Sequence, residues 1–132
     1  MVKKINSCQK GKSAEREIAK LLRDYGFEAR RGQQFSGGNE SPDVISNLDT
    51  HIEVKRVESF NLYKAVEQSK TDCKGTNYAI FHRKSNKEWL VIQDANTWLE
   101  FQVNYKRLLE IQELYNLEMK NLERSNDERL LE

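Results

Sequence analysis

The sequence predicts an α/β protein with a long helix at its C-terminal end. Apolar residues recur at helical spacing near both ends of the chain, and the short runs between them alternate apolar and polar residues as strands do. The 132 residues suit one domain with a terminal extension. A hydrophobic fraction of 37%, with two Trp, five Tyr and five Phe, predicts a packed core.

The first predicted element is a helix over residues 13–25. Its apolar positions form one stripe, consisting of Ile18, Leu21, Leu22 and Tyr25. Ser13 is in position to cap the N-terminus, and Gly26 follows as the stop signal. The helix therefore has one face to bury.

The middle of the chain predicts five strands and a second helix. The runs 43–46 and 51–57 alternate, and residues 47–50 between them have turn composition, so the two runs form a hairpin that Pro42 begins. The other expected elements are a short strand at 27–31, a mobile Gly-rich loop at 32–41, a helix at 60–74, and strands at 76–82 and 88–93.

The last predicted element is a helix opening at Thr97, where Glu100 three residues later completes a capping box. Eight positions then follow a heptad spacing: Trp98, Phe101, Tyr105, Leu108, Gln112, Tyr115, Met119 and Leu122. About 25 residues would span nearly 40 Å, more than a small domain covers. We therefore divide the chain into a domain at residues 1–104 and a helical extension at residues 105–132, which either packs within the chain or meets a copy or another protein.

Composition excludes several classes of protein. No apolar run approaches the roughly 18 residues of a membrane span, and the first residues lack the apolar stretch of a signal peptide. Cys8 and Cys73 are too few for a disulfide framework, and His51 and His82 are too few for a multi-histidine metal cage. We expect a cytoplasmic protein without a membrane segment, whose chemistry comes from carboxylates, lysines or hydroxyls.

The net charge of +1 hides an uneven distribution. Residues 1–35 carry nine lysines and arginines against four acids, whereas residues 36–58 carry two basic residues against five acids. A basic third followed by an acidic cluster indicates a polyanion-binding face beside a cation site, and a solvated charged surface is the alternative.

The candidate chemistry lies on the predicted hairpin. Side chains alternate along a strand, so Glu53 and Lys55 share one side of theirs. A turn centred on residues 48–49 would set Asp43 opposite Val54, within diagonal reach of Glu53. Two carboxylates and the Val54 carbonyl make an oxygen site suited to Mg²⁺, with the Lys55 ammonium in place to orient or help deprotonate an attacking water. The alternative is a half-exposed strand whose Glu and Lys face water.

The spacing of these residues resembles a known superfamily. Pro-Asp at 42–43 and Glu-Val-Lys at 53–55 look like the signature of the PD-(D/E)XK nucleases. The upstream run Gly-Lys-Ser-Ala-Glu-Arg-Glu at 11–17, and Tyr-Lys-Ala-Val-Glu-Gln at 63–68, are similar to the archaeal-type Holliday junction resolvases. The resemblance covers about residues 10–100 and implies a restriction-endonuclease-like mixed central sheet flanked by helices.

The resemblance also implies roles for the site residues. Asp43 and Glu53 would hold one or two Mg²⁺ or Mn²⁺ ions, and Glu15 would complete the shell as a water-mediated ligand or proton acceptor. Lys55 would assist the attacking water, and Ser36 stands where the family has a loop serine. Hydrolysis would leave 5′-phosphate and 3′-hydroxyl ends.

DNA contacts are expected from side chains around this site: Lys12, Arg16, Arg30, Arg31, Tyr63 and Gln68. Gln68 either contacts the scissile phosphate or a ligand, or faces solvent. Tyr63 either packs within the protein or contacts DNA. His51 reads as an ordinary strand residue.

The function that follows is a homodimeric, metal-dependent endonuclease for DNA recombination and repair, which resolves four-way junctions by paired symmetric nicks in branched double-stranded DNA. Two alternatives remain. One is a flap, fork or restriction-type nuclease of the VRR-Nuc kind on the same fold. The other is a non-catalytic nucleic-acid-binding module.

Overall fold

A mixed sheet with a helix on each face forms the body of the protein. The computed structural model describes residues 7–32 and 41–132. Within them the elements are α1 (Ser7–Asp24), β1 (Ala29–Arg31), β2 (Val44–Ser46), β3 (Thr50–Arg56), α2 (Leu62–Asp72), β4 (Asn77–Arg83), β5 (Leu90–Ile92) and α3 (Ala95–Leu130). The strands lie in chain order, and β3 and β4 are parallel while the other neighbours are antiparallel. The predicted α/β class is confirmed.

The central strand β3 is covered on both faces. On one face the apolar stripe of α1 packs against the sheet, in a cluster of Ala14, Ile18, Ala19, Leu22, Val44, Ile52 and Val54. On the other face α2 covers Tyr78 and Ile80 of β4. Because side chains alternate along β3, Glu53 points to the α2 side and is buried there. The half-exposed strand considered from the sequence is therefore wrong.

The first helix begins earlier than its sequence predicts. α1 already includes Ser7, so Ser13 lies inside the helix and does not cap it. The helix ends as expected at its C-terminal side. Gly26 has φ +91°, its N–H donates to the Arg23 carbonyl, and the N–H of Phe27 donates to the Leu22 carbonyl. A residue without Cβ adopts this left-handed conformation at least cost, which is why the helix stops there.

The hairpin register differs by one residue from the prediction. Val44 pairs with Ile52, so Asp43 stands opposite Glu53 instead of opposite Val54. The cause is a turn one residue shorter than expected, because Thr50 already belongs to β3 and pairs with Asn77. The shorter turn brings the two acidic side chains directly across from each other.

The last helix is longer than predicted and is capped elsewhere. Asp94 is the N-cap: its carboxylate accepts hydrogen bonds from the Thr97 N–H at 2.9 Å and from the Thr97 hydroxyl at 2.8 Å. The capping box predicted at Thr97 is therefore wrong. The 36 residues of α3 continue to Leu130, beyond the 25 expected.

The chain divides into two compact units, Met1–Gln93 and Asp94–Glu132. The first carries the sheet with α1 and α2, and the second is α3. None of the helices in the described part of the chain is both long and apolar enough to cross a membrane. The boundary at residues 104–105 stays a prediction.

Candidate active site

Two buried carboxyl groups meet where β2 begins beside the middle of β3. The Val54 N–H donates to Asp43 Oδ2 at 2.8 Å, which holds the Asp43 side chain against β3. The carboxyl groups of Asp43 and Glu53 are hydrogen-bonded to each other. The two groups therefore point to one place, as two ligands of a shared ion must.

The proximity of these groups alters their acidity. Burial is the main cause that raises the pKa of Asp43 from 3.8 to about 7, and the neighbouring charge of Glu53 adds to it. Burial likewise raises the pKa of Glu53, while the Lys55 ammonium opposes the rise in both groups. Near neutral pH the Asp43 carboxyl group is therefore about half protonated, because a second negative charge beside Glu53 is unfavourable away from water.

Glu15 joins the same acidic group from α1. Its carboxylate accepts a hydrogen bond from Arg31 Nε on β1 at 2.6 Å. Burial raises the pKa of Glu15, and the Arg31 contact works against that rise. The charge of Asp43 also raises the pKa of Glu15, and the charge of Glu15 in turn raises the pKa of Glu53. The structure thus brings together the three acids that the sequence singled out.

A cleft of about 350 Å³ opens beside this acidic group on the α2 side of the sheet. Glu53 and Lys55 of β3 line it together with Asn61, Lys64 and Gln68, and an apolar part of the lining comes from Val57, Phe60 and Ala65. The polar part of the cleft thus offers two lysines and two amides beside the Glu53 carboxylate, groups that can bind phosphate oxygens.

A second polar cluster supports Glu53 from the same side. His51 Nε2 lies 2.8 Å from Glu53 Oε1, and both side chains are buried. The carboxylate of Asp72 is near enough to raise the pKa of His51, although burial lowers that pKa overall. Gln68 Nε2 donates to both oxygens of Asp72, at 3.0 and 2.9 Å. His51 is therefore more than an ordinary strand residue.

Sequence reasoning missed this cluster because its members come from two elements. The sequence predicts only that positions 51 and 53 lie on the same side of β3, because side chains alternate along a strand. Asp72 is the last residue of α2, and its approach to His51 depends on how α2 lies across the sheet.

The donors at Asp43 and Glu53 fit a hard divalent cation. Both offer carboxylate oxygens at one point, and burial raises the pKa of each more than the Lys55 ammonium lowers it, so a bound cation would favour the ionised forms. His51, Glu53 and Asp72 also offer atoms within 4.8 Å of one another. In that group, however, His51 already contacts Glu53 and Asp72 already accepts twice from Gln68, so we assign it to positioning Glu53.

Comparison with known proteins decides the family. A family model described as archaeal Holliday junction resolvase (Hjc) matches residues 6–126. The chain belongs to the archaeal Holliday junction resolvase family. It is a nuclease that resolves Holliday junctions, as the resemblance of residues 11–17 and 63–68 to the archaeal-type resolvases predicted. The match also reaches Asn126 within α3, well past the limit of about residue 100 that the motifs indicated.

Among solved structures, the resolvase is similar to Hjc from Archaeoglobus fulgidus, a Holliday junction resolvase from an archaeal hyperthermophile. The two share 25% sequence identity over 64% of this chain and 72% of the other, with a TM-score of 0.49. No curated protein matches the chain.

The side chains predicted to touch DNA have different surroundings in the resolvase. Lys12, Arg16, Arg30 and Tyr63 are exposed. Arg31 is engaged by Glu15, and Gln68 by Asp72. Ser36 lies outside the described residues, as does most of the Gly-rich loop predicted at 32–41.

Proposed function

We propose that this resolvase cuts branched double-stranded DNA by Mg²⁺-dependent hydrolysis, with Mn²⁺ as a substitute, and resolves four-way junctions by paired symmetric nicks. The observation that carries the proposal is the buried contact between the Asp43 and Glu53 carboxyl groups, with the Lys55 ammonium acting on both. A buried carboxylate pair beside an amine suits metal-assisted phosphodiester hydrolysis.

The proposed ligands are Asp43, Glu53, the main-chain carbonyl of Val54, and Glu15 directly or through water. When bound there, Mg²⁺ would supply Lewis-acid stabilisation of the phosphoryl oxygens. The chain itself fixes the geometry, since the Val54 N–H holds Asp43 and His51 holds Glu53. Little rearrangement of these side chains would then accompany the reaction.

Lys55 would orient the attacking water and stabilise negative charge on the phosphoryl group. The water oxygen bonds to phosphorus as the bond from phosphorus to the 3′ oxygen breaks. The water gives up one proton and the departing 3′ oxygen gains one, so the products are 5′-phosphate and 3′-hydroxyl ends. The cleft lined by Lys64 and Asn61 would accommodate the flanking phosphates.

The proposed DNA contacts are Lys12, Arg16, Arg30, Arg31, Tyr63 and Gln68. Exposed Lys12, Arg16 and Arg30 are free to approach the backbone from solvent. Phosphate contacts read the shape of a junction without base sequence. We propose that Arg31 leaves Glu15 for a phosphate when DNA binds, and that Ser36 assists catalysis from its loop.

A homodimer is proposed because a four-way junction has approximate two-fold symmetry. Two identical sites related by a two-fold axis would meet two opposed strands in equivalent positions. The two sites would then nick the opposed strands at equivalent positions.

The experiment is cleavage of a synthetic four-way junction with end-labelled strands, in Mg²⁺ and in EDTA. We expect symmetric nicks in Mg²⁺ only, and none from the Asp43→Asn variant, which still binds the junction. Asp49→Asn is the matched control, because Asp49 is an exposed acid in the turn of the same hairpin.

Three results would contradict the proposal. Cleavage in EDTA would mean that the reaction does not require a divalent metal. Cleavage by the Asp43→Asn variant would mean that the reaction does not depend on the Asp43 carboxylate. If a linear duplex or a flap is cut as fast as the four-way junction, the protein is a flap, fork or restriction-type nuclease and not a junction-selective one.

A further inference from the structure

The apolar seam of α3 is exposed along its length. We call the eight positions Trp98, Phe101, Tyr105, Leu108, Gln112, Tyr115, Met119 and Leu122 the seam. Its apolar members are between 40% and 61% exposed. Large side chains repeated on one side of a helix are stabilised when a second helix covers them.

The seam is symmetric about Glu110. Positions 98 and 122, 101 and 119, 105 and 115, and 108 and 112 each lie at equal distances on either side of that residue. In heptad terms, each of these pairs joins an a position with a d position. That combination forms the core layers of an antiparallel coiled coil, so two copies of α3 running in opposite directions would bring all eight positions into register.

The residues beside the seam favour the same arrangement. Near the centre, Leu109 occupies an e position and Ile111 a g position, and these side chains are 47% and 62% exposed. In an antiparallel pair e positions flank e positions and g positions flank g positions. Leu109 and Ile111 would therefore each meet their own counterpart across the two-fold axis and widen the apolar centre.

The charges disfavour the parallel alternative. In a parallel pair in register, Glu118 at g would lie beside Glu123 at e of the second copy, and the repulsion would occur twice. In the antiparallel pair Glu118 lies across from Asn104, and Glu123 across from Ala95. The like charges are then separated from each other.

We propose that α3 pairs with α3 of a second copy as an antiparallel coiled coil centred on Glu110. The seam would span about 36 Å, at 1.5 Å per residue between Trp98 and Leu122. The inference deepens the proposed homodimer, on which it rests for the presence of two copies, by naming the surface through which they meet. The same face of each copy forms the contact, as a two-fold interface requires.

Disulfide cross-linking tests the direction of pairing. In a Cys8→Ser background, which removes the exposed native thiol, we would make Leu108→Cys and Gln112→Cys separately. Co-expressed with different tags and oxidised, the two should form a mixed disulfide dimer, while each expressed alone should not link to itself. Self-linking of each variant would mean parallel pairing, and absence of the mixed product would mean no such pair; either result overturns the inference.

A pair of lysine variants tests the interface itself. Leu109→Lys with Ile111→Lys should place four charges at the centre and raise the dimer dissociation constant at least about tenfold, measured by analytical ultracentrifugation. The matched control is Val103→Lys with Leu117→Lys, at f positions facing away from the seam and 50% and 57% exposed. The control should leave the dissociation constant unchanged, and circular dichroism should give equal helix content for both.

The failure modes are separable from those of the proposed function. If the Leu109 and Ile111 variant stays as dimeric as its control, the α3 inference is wrong while a homodimer through another surface stands. If the wild type is a monomer at micromolar concentration and still nicks junctions symmetrically, the inference fails and the nuclease chemistry stands.

Discussion

Asp43 is the residue at which burial and like charge act most strongly together. Its carboxyl group accepts from the Val54 N–H and faces Glu53, so ionising it places two negative charges side by side away from water. A divalent cation would relieve that repulsion. Proton and cation therefore compete for the same carboxyl group.

The first prediction concerns stability and pH. The pKa of Asp43 is about 7 in the folded chain and near 3.8 when unfolded, so its contribution to the free energy of unfolding is fully present below pH 4 and is lost as pH rises through 7. Asp43→Asn resembles the protonated form. We therefore expect the free energy of unfolding of Asp43→Asn, relative to that of wild type, to increase between pH 5 and pH 8. The measurement is urea unfolding in EDTA.

Asp49→Asn is the control for this measurement and should show a flat difference over the same range. A difference that falls between pH 5 and pH 8 for Asp43→Asn would mean that the folded chain does not strain this carboxylate. Adding Mg²⁺ at pH 8 should stabilise wild type and leave Asp43→Asn unchanged.

The second prediction concerns His51 as a positioning residue. His51→Ala frees Glu53 Oε1 of its neighbour, so the Mg²⁺ concentration for half-maximal cleavage should rise about 10- to 100-fold. His51→Gln keeps a donor at this position and should recover part of the loss. A purely packing role predicts an unchanged Mg²⁺ requirement for both variants, with only stability altered.

At the scale of the elements, the C-terminal end of α1 is set by the backbone conformation of Gly26. Gly26 has φ +91° with open space around it, whereas Gly11 lies within the helix, also with open space where a Cβ would be. Replacement by alanine should therefore change the free energy of unfolding in opposite directions at Gly26 and Gly11.

The third prediction follows from this contrast. Gly26→Ala should lower the free energy of unfolding by about 1 kcal/mol, because the left-handed conformation is strained for alanine. Gly11→Ala should raise it by up to about 1 kcal/mol through helix propensity. Denaturant unfolding of both variants beside wild type tests the pair, and a shift of equal sign in both would contradict it.

Sequence patterns predicted the elements better than their pairing. The α1 stripe and the Gly26 stop follow from local rules, and so does the side of β3 that carries Glu53. The hairpin register was wrong because whether Thr50 ends the turn or begins β3 depends on its parallel partner Asn77, far along the chain. Asp94 was missed as the cap of α3 because Thr97, with Glu100 after it, presents an equally good local signal.

At the scale of the whole molecule, the site combines distant parts of the chain. Glu15 comes from α1, Asp43 from the start of β2, and Glu53 with Lys55 from β3. The spacing of Asp43, Glu53 and Lys55 singled out those three in the sequence, whereas Glu15 was expected only from the resemblance to the resolvases. The supporting residue Asp72 had no such signature, since its role depends on the packing of α2 over β3.

The fourth prediction concerns binding by the basic N-terminal third. Junction affinity should fall steeply with salt, and Lys12→Ala with Arg16→Ala should reduce the slope of log affinity against log salt by about 2. Lys106→Ala with Arg107→Ala removes two exposed charges from α3 as a control and should leave the slope unchanged. Equal slopes for wild type and the Lys12 and Arg16 variant would place the phosphate contacts elsewhere.

The most direct test of the account is to locate the ion itself. Anomalous diffraction from crystals of the resolvase grown with Mn²⁺ should give a peak within about 2.5 Å of carboxylate oxygens of both Asp43 and Glu53. A peak between His51 and Asp72 that leaves Asp43 without a contact, or no peak in protein that cleaves junctions in Mn²⁺, would contradict it.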